Sequence, residues 1–298
     1  MSHPLAAVGE PEVSLASWSL EPAVIVPVLT AGALYLAGWA VLSRRMPERF
    51  GPGRAVAFTA GLASLVVALA SPVEALSHLS LSAHMVQHLI LMVVAPPLLW
   101  LGAPVAPMLL GLPAPLRRRV ARAIAWRPLR RMTSVLGDPR VSWCAFVAAF
   151  WLWHLPGPYD AALRSDLWHH VEHASFFTAA LIFWRPVILP WPSRPSWPRW
   201  AMIPYLVLAD VQNGVLAAIL TFSDRLIYSP YGEVPRPWSL SPIEDQSVAG
   251  VIMWVPGSLA FLLPVIWLVT VAIASPHPAL RPPPGGRERP ELSADRRP

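Results

Sequence analysis

The 298-residue chain has no lysine and a single cysteine, Cys144. One cysteine excludes an intramolecular disulfide and any CxxC thiolate site. Charge is also scarce: 13% of residues are Asp, Glu, Lys or Arg, against about a quarter in an ordinary soluble domain. That excludes a disordered chain, a coiled coil and most water-soluble enzymes. No internal repeat, P-loop or glycine-rich nucleotide fingerprint is present. No nucleophile–base pair suggests hydrolysis, so the reading is of a protein that is not an enzyme.

What is abundant is apolar. Hydrophobic residues make up 55%, mean hydropathy is +0.48, and there are 36 Pro and 15 Trp. Seven apolar segments stand out, at about 23–42, 55–73, 83–103, 141–155, 170–189, 201–222 and 248–274. A helix needs about 20 residues to cross the hydrocarbon core. Only internally hydrogen-bonded backbone is tolerated there. The predicted fold is therefore all-α: a polytopic membrane protein with seven transmembrane helices, in residues 23–274.

All basic residues are arginine, giving a net charge of +6. In a soluble protein this would suggest nucleic acid. Here the arginines lie between apolar segments and report orientation instead. Arg164, Arg225 and Arg236 fall on one side of the seven-helix arrangement, and all the others on the opposite side. The positive-inside rule then puts the N-terminus outside and the C-terminus in the cytoplasm. Residues 1–22, with Glu10, Glu12 and Glu21 and no Arg, read as an external leader and not as a conventional signal peptide. Residues 116–132 alternate Arg with apolar residues and read as an amphipathic segment on the cytoplasmic headgroups. Residues 275–298, rich in Pro, Arg and Gly, read as a disordered cytoplasmic tail.

Histidine is distributed unevenly. Of the nine His, all but His3 and His277 fall at outer helix ends or outer loops. His84, His88 and Met92 stand at i, i+4 and i+8, on one helical face. His154 closes the fourth segment just before a proline at 156. His169 and His173 share a face of the fifth, and His170 pairs with His173 at i, i+3. Three separate helices thus carry imidazole at one depth. Imidazole suits copper, zinc, iron and nickel, and thioether suits Cu(I). His84, His88, His154 and His173, with Met92 and Met253, are the candidate metal ligands. His78 reads as an interfacial anchor. Glu172 is a candidate orienting acceptor, and His169 and His170 are candidate supporting groups. Asp210 falls near the midplane of the sixth segment, where a carboxylate is costly; it reads as a proton or metal relay or as packing glue. Asp245 lies in the SPIEDQ string before the seventh segment. It suits a helix start as well as cation attraction.

These strings carry a resemblance. HMVQHLILMVVAPPLLWLGAP (84–104), WHLPGPYDAALRSDLWHHVEH (153–173), LTFSDRLIYSPY (220–231) and SPIEDQSVAGVIMW (241–254) resemble the seven-helix CtaG family of bacterial cytochrome c oxidase assembly factors. The resemblance implies a multi-pass protein of the bacterial cell (inner) membrane. It would help build the haem–copper terminal oxidase by aiding copper insertion, with oxidase subunits as partners. Matched to these strings, His84, His88, His154, His173, Asp245 and Met253 are the positions it carries over. An unrelated single-span assembly factor of similar name relies on cysteine. This chain has no cysteine pair, so copper handling would rest on His and Met. Two other classes stay open: a haem-binding membrane protein with axial His, and a metal or proton transporter using Asp210. Nucleic acid is not expected as a partner.

Overall fold

Proline starts the helices here more often than it breaks them. Its missing N–H costs nothing at the first helical position, and its φ is already helical. It opens α1 (Pro22–Arg45), α2 (Pro52–Ala70) and α3 (Pro72–Ser77). Next come α4 (Leu81–Leu89), a π-helical turn (Ile90–Val94), α5 (Ala95–Leu101), α6 (Val105–Gly111), α7 (Ala114–Ala125) and α8 (Arg127–Leu136). Then follow α9 (Pro139–His154), α10 (Pro156–Leu163), α11 (Asp166–Ile188), α12 (Met202–Phe222) and α13 (Pro242–Ala274), with short 3₁₀ turns at Arg199–Ala201 and Ser229–Gly232. This computed structural model describes residues 17–235 and 237–274, and among them there is no strand.

Each of the seven apolar segments coincides with helix. Five helical stretches are long and apolar enough to cross a membrane: Pro22–Arg45, Pro52–Ala70, Leu81–Leu101, Arg199–Phe222 and Pro242–Ala274. Of the other two, α9 has 16 residues, and α11 carries Asp166, Glu172 and Arg185 among its apolar residues. The expected leader falls mostly, and the tail (275–298) wholly, outside the described residues, as do His3, Arg236 and His277.

Three boundaries differ from expectation, each for a local reason. The second segment breaks at Ser71, whose Oγ accepts from the N–H of Val73 and starts α3. The third is not one α-helix. Pro96 and Pro97 follow it, and a proline has no N–H to offer the carbonyl four residues back. The ladder widens into the π turn, and the indole N–H of Trp184 donates to the freed Met92 carbonyl at 2.9 Å. The basic segment 116–132 forms two helices, α7 and α8, broken at Trp126 (ψ 128°), because Pro128 has no N–H for the carbonyl four residues back and its ring crowds the preceding turn, while it suits the first turn of a new helix. Neither helix buries a residue.

The main core lies among α9, α11, α12 and α13. Phe183 stacks on Phe146 at 4.3 Å and on Tyr205 at 4.7 Å, and Trp184 lies parallel to Phe261 at 5.9 Å. A smaller core joins α1, α2 and α5, where Tyr35 stacks on Phe58 at 3.9 Å and donates to the Gly102 carbonyl at 2.8 Å. The backbones of α1 and α6 nearly touch. A Cβ on Gly38 would stand 1.8 Å from the Pro107 carbonyl oxygen, and one on Gly111 1.9 Å from that of Leu34. Outward faces of α1, α12 and α13 are studded with exposed Leu, Val, Ile, Trp and Phe. Such a continuous apolar surface belongs in lipid.

Candidate metal centre

The N-terminal ends of α4 and α11 and the C-terminal end of α9 meet at one end of the bundle. α4 is anchored there by α13. Asp245 accepts from the backbone N–H of Leu81 at 2.7 Å and from the hydroxyls of Ser80 and Ser82 at 2.9 and 2.5 Å. The Leu81 N–H is one of the free donors that every helix start leaves unsatisfied, and a carboxylate also complements the positive helix end. Asp245 therefore fixes the height and rotation of the helix that carries His84 and His88. It supports the site without facing it.

The i, i+4 spacing holds on both helices. The rings of His84 and His88 lie 4.2 Å apart by centroid and those of His169 and His173 4.1 Å apart. Across the helix interface His84 is 5.4 Å from His169, and His88 is 5.5 Å from His173. Glu172, with 0% exposure, faces the pair on α4. Its oxygens lie 3.8 Å from His84 Nε2 and 3.7 Å from His88 Nε2. One ligand atom each from His84, His169, Glu172 and His173 falls within 4.8 Å of the others. Three imidazoles and a carboxylate form a donor set suited to a borderline divalent cation.

Orphaned atoms show that these residues fit an ion. Both Glu172 oxygens, His169 Nε2, His173 Nε2 and His88 Nδ1 are buried and without a hydrogen-bond partner. Buried polar groups are normally paired, and an isolated carboxylate is expensive. A cation among them would satisfy several at once. The fit asks for adjustment at one point. His84 Nε2 and His88 Nε2 are 2.7 Å apart, a hydrogen-bond spacing. Two nitrogens on one tetrahedral ion lie roughly 3.3 Å apart. For both rings to bind one ion, the proton between them must leave and the rings separate slightly.

Tyrosines set the ring chemistry. Tyr231 donates its hydroxyl proton to the Ser77 carbonyl at 2.9 Å. Its oxygen then accepts from His84 Nδ1 at 2.9 Å, which puts the proton on Nδ1 and leaves the Nε2 lone pair facing the cluster. The Tyr159 hydroxyl lies 3.3 Å from that of Tyr231. Burial pushes both phenols well above their usual range, so they stay protonated. At the rim, His78 is raised by the adjacent Glu74 carboxylate.

The expected residues fall in four groups. His84, His88, His169, Glu172 and His173 converge. His154 sits beside His88, at 6.1 Å between rings; its Nδ1 donates to the Phe150 carbonyl at 2.7 Å, leaving Nε2 buried and unpartnered. With His88, Met92, Met253 and Gln212 it lines a small adjoining chamber of about 30 Å³. His170 is exposed, bonded to the Asp166 carbonyl, outside the cluster. Asp210, half-buried on α12, lies outside the cluster.

Sequence reasoning passed over Tyr231, Tyr159, Glu74 and Gln87, and assigned His78 only to anchoring. Both tyrosines lie in strings that carry the resemblance, which was the available signal. Glu74 offers an oxygen 3.6 Å from His78 Nε2 and 3.8 Å from His169 Nδ1. The Glu74, His78 and His169 ligand atoms form a second close group.

A family model described as cytochrome c oxidase caa3 assembly factor (Caa3_CtaG) matches residues 33–275. Among curated proteins, the chain is 29% identical over 247 residues to uncharacterized proteins of Mycobacterium bovis and Mycobacterium tuberculosis, covering 79% of this chain and 36% of each relative. It is 25% identical over 264 residues to one of Mycobacterium leprae, covering 85% and 39%. The chain thus spans little more than a third of the length of these relatives. No solved structure matches.

Proposed function

Because this chain belongs to the cytochrome c oxidase caa3 assembly factor family, we propose that it serves oxidase assembly by holding copper in the His/Glu cluster and releasing it to an oxidase subunit. The observation carrying this reading is the convergence of His84, His169, Glu172 and His173 within 4.8 Å, with buried donors unpaired. Copper is the cargo. The neutral imidazoles bind it, Glu172 offsets its charge, and the Tyr231 hydroxyl holds His84 in the ligating tautomer. With no thiolate among the donors, the ion is held less tightly than in a cysteine site, and a recipient can compete for it. The cluster lies at the end of the bundle opposite the arginine-rich loops. With seven spans and the positive-inside rule, that end faces outside the cytoplasm of a bacterial cell membrane.

Haem finds less support. The chamber flanked by His88 and His154 is about 30 Å³, room for a water or two and not for a macrocycle.

Copper per chain, measured by elemental analysis after loading and desalting the purified protein, tests the proposal. Wild type should retain close to one copper, and His173→Ala and Glu172→Gln should retain far less. Cells carrying either variant should make less active oxidase while the chain itself persists. Unchanged copper in both variants would reject the site.

A further inference from the structure

We propose that Glu74, His78 and His169 form a loading site, through which a cation reaches the buried cluster by way of His169. This rests on the copper-holding reading above and adds the route.

The geometry is built for a ligand. Gln87, buried beneath, donates to one oxygen of Glu74 and is itself positioned against the Ala68 carbonyl. That leaves Glu74 Oε1 aimed between two imidazoles, 3.6 Å from His78 Nε2 and 3.8 Å from His169 Nδ1. These gaps are too long for hydrogen bonds and suit an interposed ion. His169, only 3% exposed, turns Nδ1 toward Glu74 and keeps a buried, unpartnered Nε2 on the far side of the same ring. The His78 side chain, by contrast, is 42% exposed. The group therefore spans the boundary between solvent and interior.

Two further features make it an entrance. A cleft of about 430 Å³ between α1 and α11 opens onto it, and Glu21, Glu74 and Asp166 line that cleft beside His78, His169 and His170. Carboxylates in a low-dielectric cleft concentrate cations. Beyond it, His169 belongs to both ligand groups. Ring centroids step from His78 to His169 at 5.0 Å, then to His173 at 4.1 Å and His84 at 5.4 Å. An ion held by Glu74, His78 and His169 passes along this one imidazole, its bonds to Glu74 and His78 exchanged for bonds to His84, Glu172 and His173. Nothing is oxidised or reduced. A dehydrated ion never has to cross the interior unligated.

A loading site has a kinetic signature that a supporting residue lacks. It changes the speed of filling and emptying equally and leaves the equilibrium alone. The test uses the full chain in detergent, Cu(II) as the probe, and stopped-flow absorbance, with release followed by chelator. His78→Ala and Glu74→Gln should each slow both filling and release by about 10-fold, which is about 1.4 kcal/mol on the barrier. The dissociation constant should stay within about 2-fold of wild type. His78→Ala retains the Glu74 charge, so slowing in that variant is not loss of electrostatic attraction alone. Unchanged rates, or weakened binding without slowed filling, would overturn the loading site. If wild type takes up no copper, the copper reading itself falls. If it does, and the variants fill at the wild-type rate, only the route falls.

Discussion

Tyr231 shows how one hydroxyl can decide the state of a ligand. Its proton goes to the Ser77 carbonyl, so its oxygen accepts from His84. Tyr231→Phe leaves a buried His84 N–H without an acceptor. Such an orphaned group costs about 1–3 kcal/mol, and loss of ring orientation costs about 10–100-fold in metal affinity. Thermal melting and copper titration should register both losses. A fall in stability with unchanged affinity would show that Tyr231 only supports the fold. Glu172 carries a sharper contrast, because its partners lie on another helix. Glu172→Gln removes the charge and keeps the shape, so it should lose copper without unfolding.

At the level of elements, two contacts set the site's precision. Asp245 ties the start of α4 to α13 through three strong acceptor contacts. Asp245→Ala leaves the Leu81 N–H unpaired and frees α4 to shift, which displaces His84 and His88 together. Copper affinity should fall with stability, and Asp245→Asn should recover part of both by keeping an acceptor. The second contact is the α1–α6 crossing, where glycine allows backbone against backbone. Gly38→Val has no room, because the neighbouring atom is a carbonyl oxygen at 1.8 Å from the new Cβ. α1 must move away or the protein must pay several kcal/mol in overpacking, typically about 1–3 and occasionally more. α1 forms one wall of the entrance cleft, so a lowered melting temperature with altered filling rate is expected, and the His/Glu cluster on α4 and α11 should still hold copper.

For the whole molecule, charge and apolar surface give direction. Arginines crowd the end where α1 gives way to α2 and where α7 and α8 lie exposed, while the imidazoles gather at the other end. A reporter fused at the C-terminus should be active in the cytoplasm, and one in the α12–α13 loop should report the opposite side. A C-terminal reporter exposed outside would reverse the orientation and put the cluster on the wrong face for an extracytoplasmic donor. Reversing the charge of exposed arginines on α8, Arg130→Glu with Arg131→Glu, should weaken seating on anionic lipid and leave copper binding intact.

Periodicity and composition alone determined that the chain is helical, where its seven apolar segments lie, and which imidazoles share a helical face. All of that is local: 3.6 residues per turn fixes His84 with His88 and His169 with His173 whatever the neighbours do. The proximity of the two pairs, the turning of Glu172 toward α4, the placing of His154 and the methionines around an adjoining chamber, and the roles of Tyr231, Glu74 and Gln87 were decided by tertiary structure. They depend on the relative height and rotation of separate helices. Those are set by a carboxylate at one helix start, two glycines at a crossing and a proline-widened turn, none of which acts until the helices are packed.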